Sequence, residues 1–256
     1  SRVQPIGTSR RAWPLVLAAI WSAVRRSSST RFASGSGAFW GYQQPVFHAA
    51  GYRVIGYSRR GYAKSDAGDP KNGGTGSGDL LKLVDHLKLD KFHLLGTAAG
   101  GMVATDFTIS HQNRVLSFVI SSSIVGVKDQ DYQDIQSRLW PKEFGALPPD
   151  FKELGPSYRS TNVEGRKLWN ELLARSRPVS VNQKFANEVT WAELAKFKIP
   201  VMMLTGEADL YTPPSSARLF ASKIPGAELV IFPDSGHSPW WERPDVYNAT
   251  ILAFLN

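Results

Sequence analysis

Leu94-Leu95-Gly96-Thr97-Ala98-Ala99-Gly100-Gly101 is the stretch on which the reading of this chain turns. The residues before it, Lys91 to Gly96, hold Phe-His-Leu-Leu, a short apolar run that suits a buried strand. From Gly100 onward a helix begins with small residues. A strand that becomes a helix within so few positions needs a sharp turn, and small residues stand where larger ones would clash. The order is strand, tight turn, helix.

Working outward, Gly51-Tyr-Arg-Val-Ile-Gly-Tyr57 reads as a strand, and Leu80, Leu81, Leu83, Val84 and Leu87 recur at helical spacing. The glycine-rich residues 66 to 78 between them are expected to form a surface loop. Leu116 to Ile120, Pro200 to Leu204 and Glu228 to Phe232 give further buried strands, separated by helical or loop segments. This alternation predicts an α/β fold, a mostly parallel sheet with helices on both faces. From about 129 to 198 the strand signal vanishes and proline-punctuated helical pattern takes over, with Trp140, Trp169 and Trp191. A single domain, 1–256, with a helical lid inserted at about 129–198 is the expected organisation. Each tryptophan taken singly is better explained by packing of the insertion onto the core.

Composition narrows the function classes. Hydrophobic residues make up 42% and charged residues 20% of the 256, an ordinary globular balance. The formal charge of +8 draws on basic residues spread through the N-terminal third. They are not interleaved with aromatics at base-stacking spacing, so a solvated basic surface is expected rather than a nucleic-acid partner. No cysteine is present, which excludes disulfides, thiol catalysis and thiolate metal sites. His48, His86, His93 and His111 lack partners at metal-ligand spacing, so no metal site is expected. The apolar residues 12 to 24, flanked by arginines, are too short to span a bilayer and are expected to form a buried strand or helix. No membrane partner and no cofactor are expected, and the cytoplasm is the expected compartment.

Three loops carry candidate chemistry. The turn Gly96-Thr97-Ala98-Ala99-Gly100 has the context of the nucleophile elbow G-x-S-x-G, but its central residue, Ala98, has only a methyl group. Thr97 has a hydroxyl, but it precedes the tip of the turn. In Leu204-Thr-Gly-Glu-Ala-Asp209-Leu-Tyr-Thr-Pro-Pro214, Asp209 is the candidate orienting acid, with Glu207 as a rival and a helix cap before Pro213 as an alternative role. In Phe232-Pro-Asp-Ser-Gly-His237-Ser-Pro-Trp-Trp-Glu242, His237 is the candidate general base. Elbow, acid and histidine follow one another in the chain order expected of such sites.

On these motifs, with Gly56-Tyr-Ser-Arg-Arg-Gly61-Tyr-Ala-Lys-Ser65, the chain from about Gly35 to Asn256 resembles the α/β-hydrolase superfamily, esterases and lipases in particular. The resemblance implies a Ser-His-Asp machine for acyl transfer on esters, lactones or activated carbon–carbon bonds, working without a cofactor. It puts the nucleophile position on Ala98, the acid on Asp209, the base on His237 and one oxyanion-hole amide on Ala99. Superfamily members usually run from an apolar strand into a His-Gly oxyanion loop, whereas residues 23 to 34 read Ala-Val-Arg-Arg-Ser-Ser-Ser-Thr-Arg-Phe-Ala-Ser. The second amide is therefore assigned to Ala33 or Ser34, since a backbone N–H needs no particular side chain.

Ala98 leaves three readings open. It is a serine-to-alanine change in an active carboxylic ester hydrolase, or it belongs to a non-catalytic small-molecule binder, or it belongs to a His/Asp-dependent enzyme that dispenses with serine, a lyase or a cofactor-free oxygenase. In each case the expected partner is a small molecule, apolar or aromatic.

Overall fold

The computed structural model describes residues 15–22 and 37–255 except 63, 64, 70, 141 and 177, with side chains described from Phe39 onward. Six strands form one sheet: β1 (Leu15–Ser22), β2 (Arg53–Ser58), β3 (Phe92–Thr97), β4 (Val115–Ser121), β5 (Val201–Gly206) and β6 (Glu228–Phe232), in the order β2-β1-β3-β4-β5-β6. The ladders from β3 to β6 are all parallel, whereas β1 is antiparallel to both its neighbours. The apolar stretch near the N-terminus thus contains a strand. Ser22 pairs with Arg53 and Trp21 with His93, so the chain leaves β1 at the edge where β2 and β3 begin.

Helices cover both faces: α1 (Gln44–Ala49), α2 (Gly76–His86), α3 (Ala99–His111), α4 (Gln130–Leu139), α5 (Pro149–Glu153), α6 (Pro156–Thr161), α7 (Val163–Ser176), α8 (Trp191–Leu194), α9 (Pro214–Ser222), α10 (Pro239–Glu242) and α11 (Pro244–Leu255). Alternation along the strands sends successive side chains to opposite faces. Leu94, Phe118, Ile120 and Met203 join one core with Leu83 and Val84 of α2, Phe107 of α3 and Phe220 of α9. Leu95, Val119, Met202 and Leu204 join the other with Phe47 of α1 and Tyr247 and Ile251 of α11. A side chain such as Phe118, with no exposed surface, contributes about 1.5–3 kcal/mol by burial.

The glycine-rich segment ends sooner than its composition suggests. Residues 76 to 78, expected in a loop, form the first turn of α2, because the Thr75 hydroxyl caps the helix by accepting the Gly78 N–H at 3.0 Å. Glycine is also needed there for contact: a Cβ on Gly76 would lie 2.8 Å from Val103 Cγ2.

Between β4 and β5 the chain forms α4 to α7 and then runs without helix from 178 to 190. Buried Asp106 of α3 holds that run, accepting the N–H groups of Ala186 and Asn187 and the Asn187 side-chain amide, each at 2.9 Å. Backbone donors used in this way are not free to continue a helix. Trp169 and Trp191 pack inward, Trp191 against Phe220, while Trp140 stacks on Phe144.

Candidate active site

Because β3, β5 and β6 run in parallel, the loops that follow them emerge at one edge of the sheet. Ala98 follows β3, Asp209 follows β5 and His237 follows β6. Ala98, more than a hundred residues before the other two, is gathered with Asp209 and His237 at one edge by topology alone.

Ala98 has φ 47° and ψ −125°, an unfavourable backbone conformation for any residue with a Cβ. Two glycines make the turn possible. A Cβ on Gly96 would come within 2.6 Å of the Gly100 oxygen, and one on Gly101 within 2.4 Å of Ser123 Cβ. The turn is therefore strained and crowded, and the residue at its tip carries only a methyl group. Thr97, immediately before it, is fully buried.

Asp209 is 2% exposed and lies against His237, with Oδ1 at 2.9 Å and Oδ2 at 3.0 Å from Nδ1. Its carboxylate also accepts the N–H groups of Tyr211 and Thr212 and the Thr205 hydroxyl. Burial resists ionisation, but the facing imidazole and these donors hold the carboxyl below its usual range. Glu207, the rival acid, is exposed, and the helix α9 has no side-chain cap from this loop. The acid loop and the histidine loop are joined by Ala208 N–H to Ser235 O and Glu207 N–H to Phe232 O, both 2.9 Å. Gly206 lets the loops approach, since a Cβ there would meet the Gly236 oxygen at 2.0 Å.

His237 is 4% exposed. Burial alone would lower its pKa, but the charges of Asp209 and Glu153 and the hydrogen bond to Asp209 push it up to about 9. Glu153, the last residue of α5, places Oε2 3.8 Å from Nε2, on the side away from Asp209. Tyr211 packs against the ring, tilted by 48° at 4.6 Å between centroids, and lies close to Glu153. Glu242 of α10 accepts the N–H groups of Gly236 at 3.0 Å and Gly155 at 2.8 Å, tying the histidine loop to the helices between β4 and β5. Burial pushes its carboxyl up to about 7. Those helices reach the acid loop too, through Trp140 Nε1–H to Leu210 O at 3.1 Å.

Glu153, Tyr211 and Glu242 were not among the residues the sequence marked. Glu242 had a faint signal, an acid just after a histidine loop. Glu153 had none, since one glutamate in a helical segment reads as a solvated face.

Of the oxyanion candidates, Ala99 is the first residue of α3, and Ala33 and Ser34 lie outside the described residues. His93 pairs with the Ser117 hydroxyl at 2.8 Å, and His48 and His86 are exposed. Among the described residues no cluster of three His, Cys, Asp or Glu is arranged to hold a metal ion, and no helix is long and apolar enough to cross a membrane. An open surface cleft of about 460 Å³, lined by Tyr42, Asn162, Glu164, Lys167 and Leu168 among others, includes neither Asp209 nor His237.

A family model described as the alpha/beta hydrolase fold matches residues 32–244. The 2-hydroxy-6-oxononadienedioate/2-hydroxy-6-oxononatrienedioate hydrolase of Escherichia coli is 29% identical over 237 residues, covering 80% of this chain and 77% of its own. A thermophilic esterase from Thermogutta terrifontis superposes with TM-score 0.71 at 20% identity, covering 88% of this chain and 86% of its own. A meta-cleavage product hydrolase, CumD, superposes with TM-score 0.60 at 18% identity, covering 96% of this chain and 98% of its own. At those identities the two structures speak for the fold alone. The family match spans most of the chain, including the loops of Asp209 and His237 and the strands β2 to β6, and on that ground the chain belongs to the alpha/beta hydrolase fold family.

Proposed function

We propose that this chain takes a small apolar acyl compound, a carboxylic ester in the first place, over the turn between β3 and α3, and that it does so without forming an acyl-enzyme. The observation that carries this reading is Ala98 itself. It holds a strained nucleophile-type backbone, with φ 47° and ψ −125°, at the same sheet edge as a buried Asp209–His237 pair, and it has no group that attacks a carbonyl. The helices between β4 and β5 act as a lid in this reading, since they contact both loops of the pair.

The chemistry left to such a site is attack by water. In its neutral form, the minor one near neutral pH, His237 takes the water proton as the oxygen adds to the carbonyl carbon, and the imidazolium returns that proton to the departing alkoxide as the tetrahedral intermediate collapses. The Ala99 N–H is the first oxyanion donor, and Ala33 or Ser34 carries the second. Loss of one triad member leaves roughly 10³- to 10⁴-fold over water from the oxyanion hole and binding. Slow turnover is therefore expected, with His237→Ala abolishing it; a purely binding protein would keep its ligand and show no turnover to lose.

The E. coli relative, whose name specifies an unsaturated oxo-dicarboxylate, favours a second substrate class on the same residues, an oxo acid in place of an ester. Intact-mass measurement during incubation with p-nitrophenyl butyrate tests the principal reading. No acyl adduct is expected on this chain and one is expected on Ala98→Ser. A persistent adduct on the unmutated chain contradicts the proposal.

A further inference from the structure

His237 has two nitrogens, and the use of the second is unusual here. Nδ1 is occupied by Asp209. Nε2 is the nitrogen that exchanges a proton with nucleophile and leaving group in a serine hydrolase. In this chain it faces the Glu153 carboxylate at 3.8 Å.

The position of Glu153 is fixed from several directions. Tyr211, whose ring packs against the imidazole at 4.6 Å between centroids, lies beside the Glu153 carboxylate. Two residues on, the Gly155 N–H is held by Glu242, which also holds Gly236 beside the histidine. The two backbones touch so closely that a Cβ on Gly236 would lie 2.4 Å from the Gly155 nitrogen. Helix α5 cannot shift without disturbing the histidine loop.

We infer that Glu153 is a positioning residue for His237: it replaces the missing nucleophile hydroxyl at Nε2 with a carboxylate, so that the site rests as an Asp209–imidazolium–Glu153 triplet near neutral pH. The inference rests on the reading of the Asp209–His237 pair as a working site. Its consequence is that the resting site is a proton donor, suited to protonating a carbonyl oxygen or leaving group, and becomes a base only in alkaline solution or when the Glu153 charge is removed. The titratable groups around the imidazole agree with this. Asp209 and Tyr211 come from the loop after β5, Glu153 from α5 with Lys152 beside it, and Glu242 from α10. Burial raises the Glu153 carboxyl, and the imidazolium charge opposes that rise. Asp209 at Nδ1 and Glu153 at Nε2 leave the local balance in favour of a proton on the ring.

The test is NMR titration of the His237 imidazole in the full chain, isotopically labelled at histidine, over the alkaline range. The unmutated chain is expected to titrate near pH 9. Glu153→Gln preserves size while removing the charge and is expected to lower the midpoint by at least about one pH unit. Glu143→Gln, a change at an exposed glutamate of the same segment, is expected to leave it in place. Should Glu153→Gln fail to fold, Glu153→Asp, with its shorter reach, is expected to lower the midpoint by a smaller step. A midpoint below pH 7 in the unmutated chain, or one that Glu153→Gln leaves unmoved, overturns the inference. No turnover enters this measurement, so its failure is distinct from failure of the hydrolase reading, which is judged on Ala98→Ser activity.

Discussion

The backbone N–H of Ala98 donates to the carbonyl oxygen of Ser121 at 3.0 Å, which pins the turn after β3 to the end of its neighbour β4. The anchor holds Ala98 at positive φ, where a residue with a Cβ carries about 1–3 kcal/mol of strain. Ala98→Gly should therefore raise the unfolding free energy by about 1 kcal/mol, because relief of strain exceeds the added freedom of the unfolded chain. Ala98→Val should lower it, since a branched side chain is more confined still. Urea denaturation of the three proteins checks the order.

Glu242 gives the fold a pH dependence of definite sign. Its carboxyl is raised from 4.5 to about 7 by burial. Between those values the unfolded chain releases the proton and the folded chain keeps it, so stability falls as pH rises through the window and levels off above it. The expected loss is about 3 kcal/mol across that window. Glu242→Gln should flatten this part of the curve, measured as unfolding free energy against pH, while costing stability at low pH through the carboxyl oxygen it gives up to Gly155 and Gly236.

The strand-turn-helix at Gly96 and the alternation of apolar runs were legible in the sequence because β3, β4 and β5 are buried almost throughout and read as continuous apolar runs. Asp209 and His237 were legible for the same reason, as each follows such a run. Chain direction was not legible in β1: an apolar strand reads alike parallel or antiparallel. Nor was the first turn of α2, where a threonine cap outweighs three weak helix formers. Glu153 escaped because its significance lies in a contact across 84 positions, with nothing local to mark it.

A carboxylate at Nε2 also bears on substrate charge. In an Ala98→Ser background, neutral p-nitrophenyl butyrate should be cleaved with kcat/KM about tenfold above anionic p-nitrophenyl hemisuccinate, a difference of about 1.4 kcal/mol. Glu153→Gln in the same background should narrow the ratio. A preference for the anion that Glu153→Gln does not change would argue for the oxo-dicarboxylate class instead.

The most direct measurement is stopped-flow hydrolysis of p-nitrophenyl butyrate, in alkaline solution where His237 is neutral, by this chain and by Ala98→Ser, each with and without His237→Ala. The account predicts no burst from the chain itself, and from Ala98→Ser a burst that His237→Ala removes, with turnover falling by about 10²- to 10⁴-fold. Absence of a burst from a folded Ala98→Ser protein, or a burst that survives His237→Ala, would contradict the claim that residue 98 alone separates this site from a serine hydrolase.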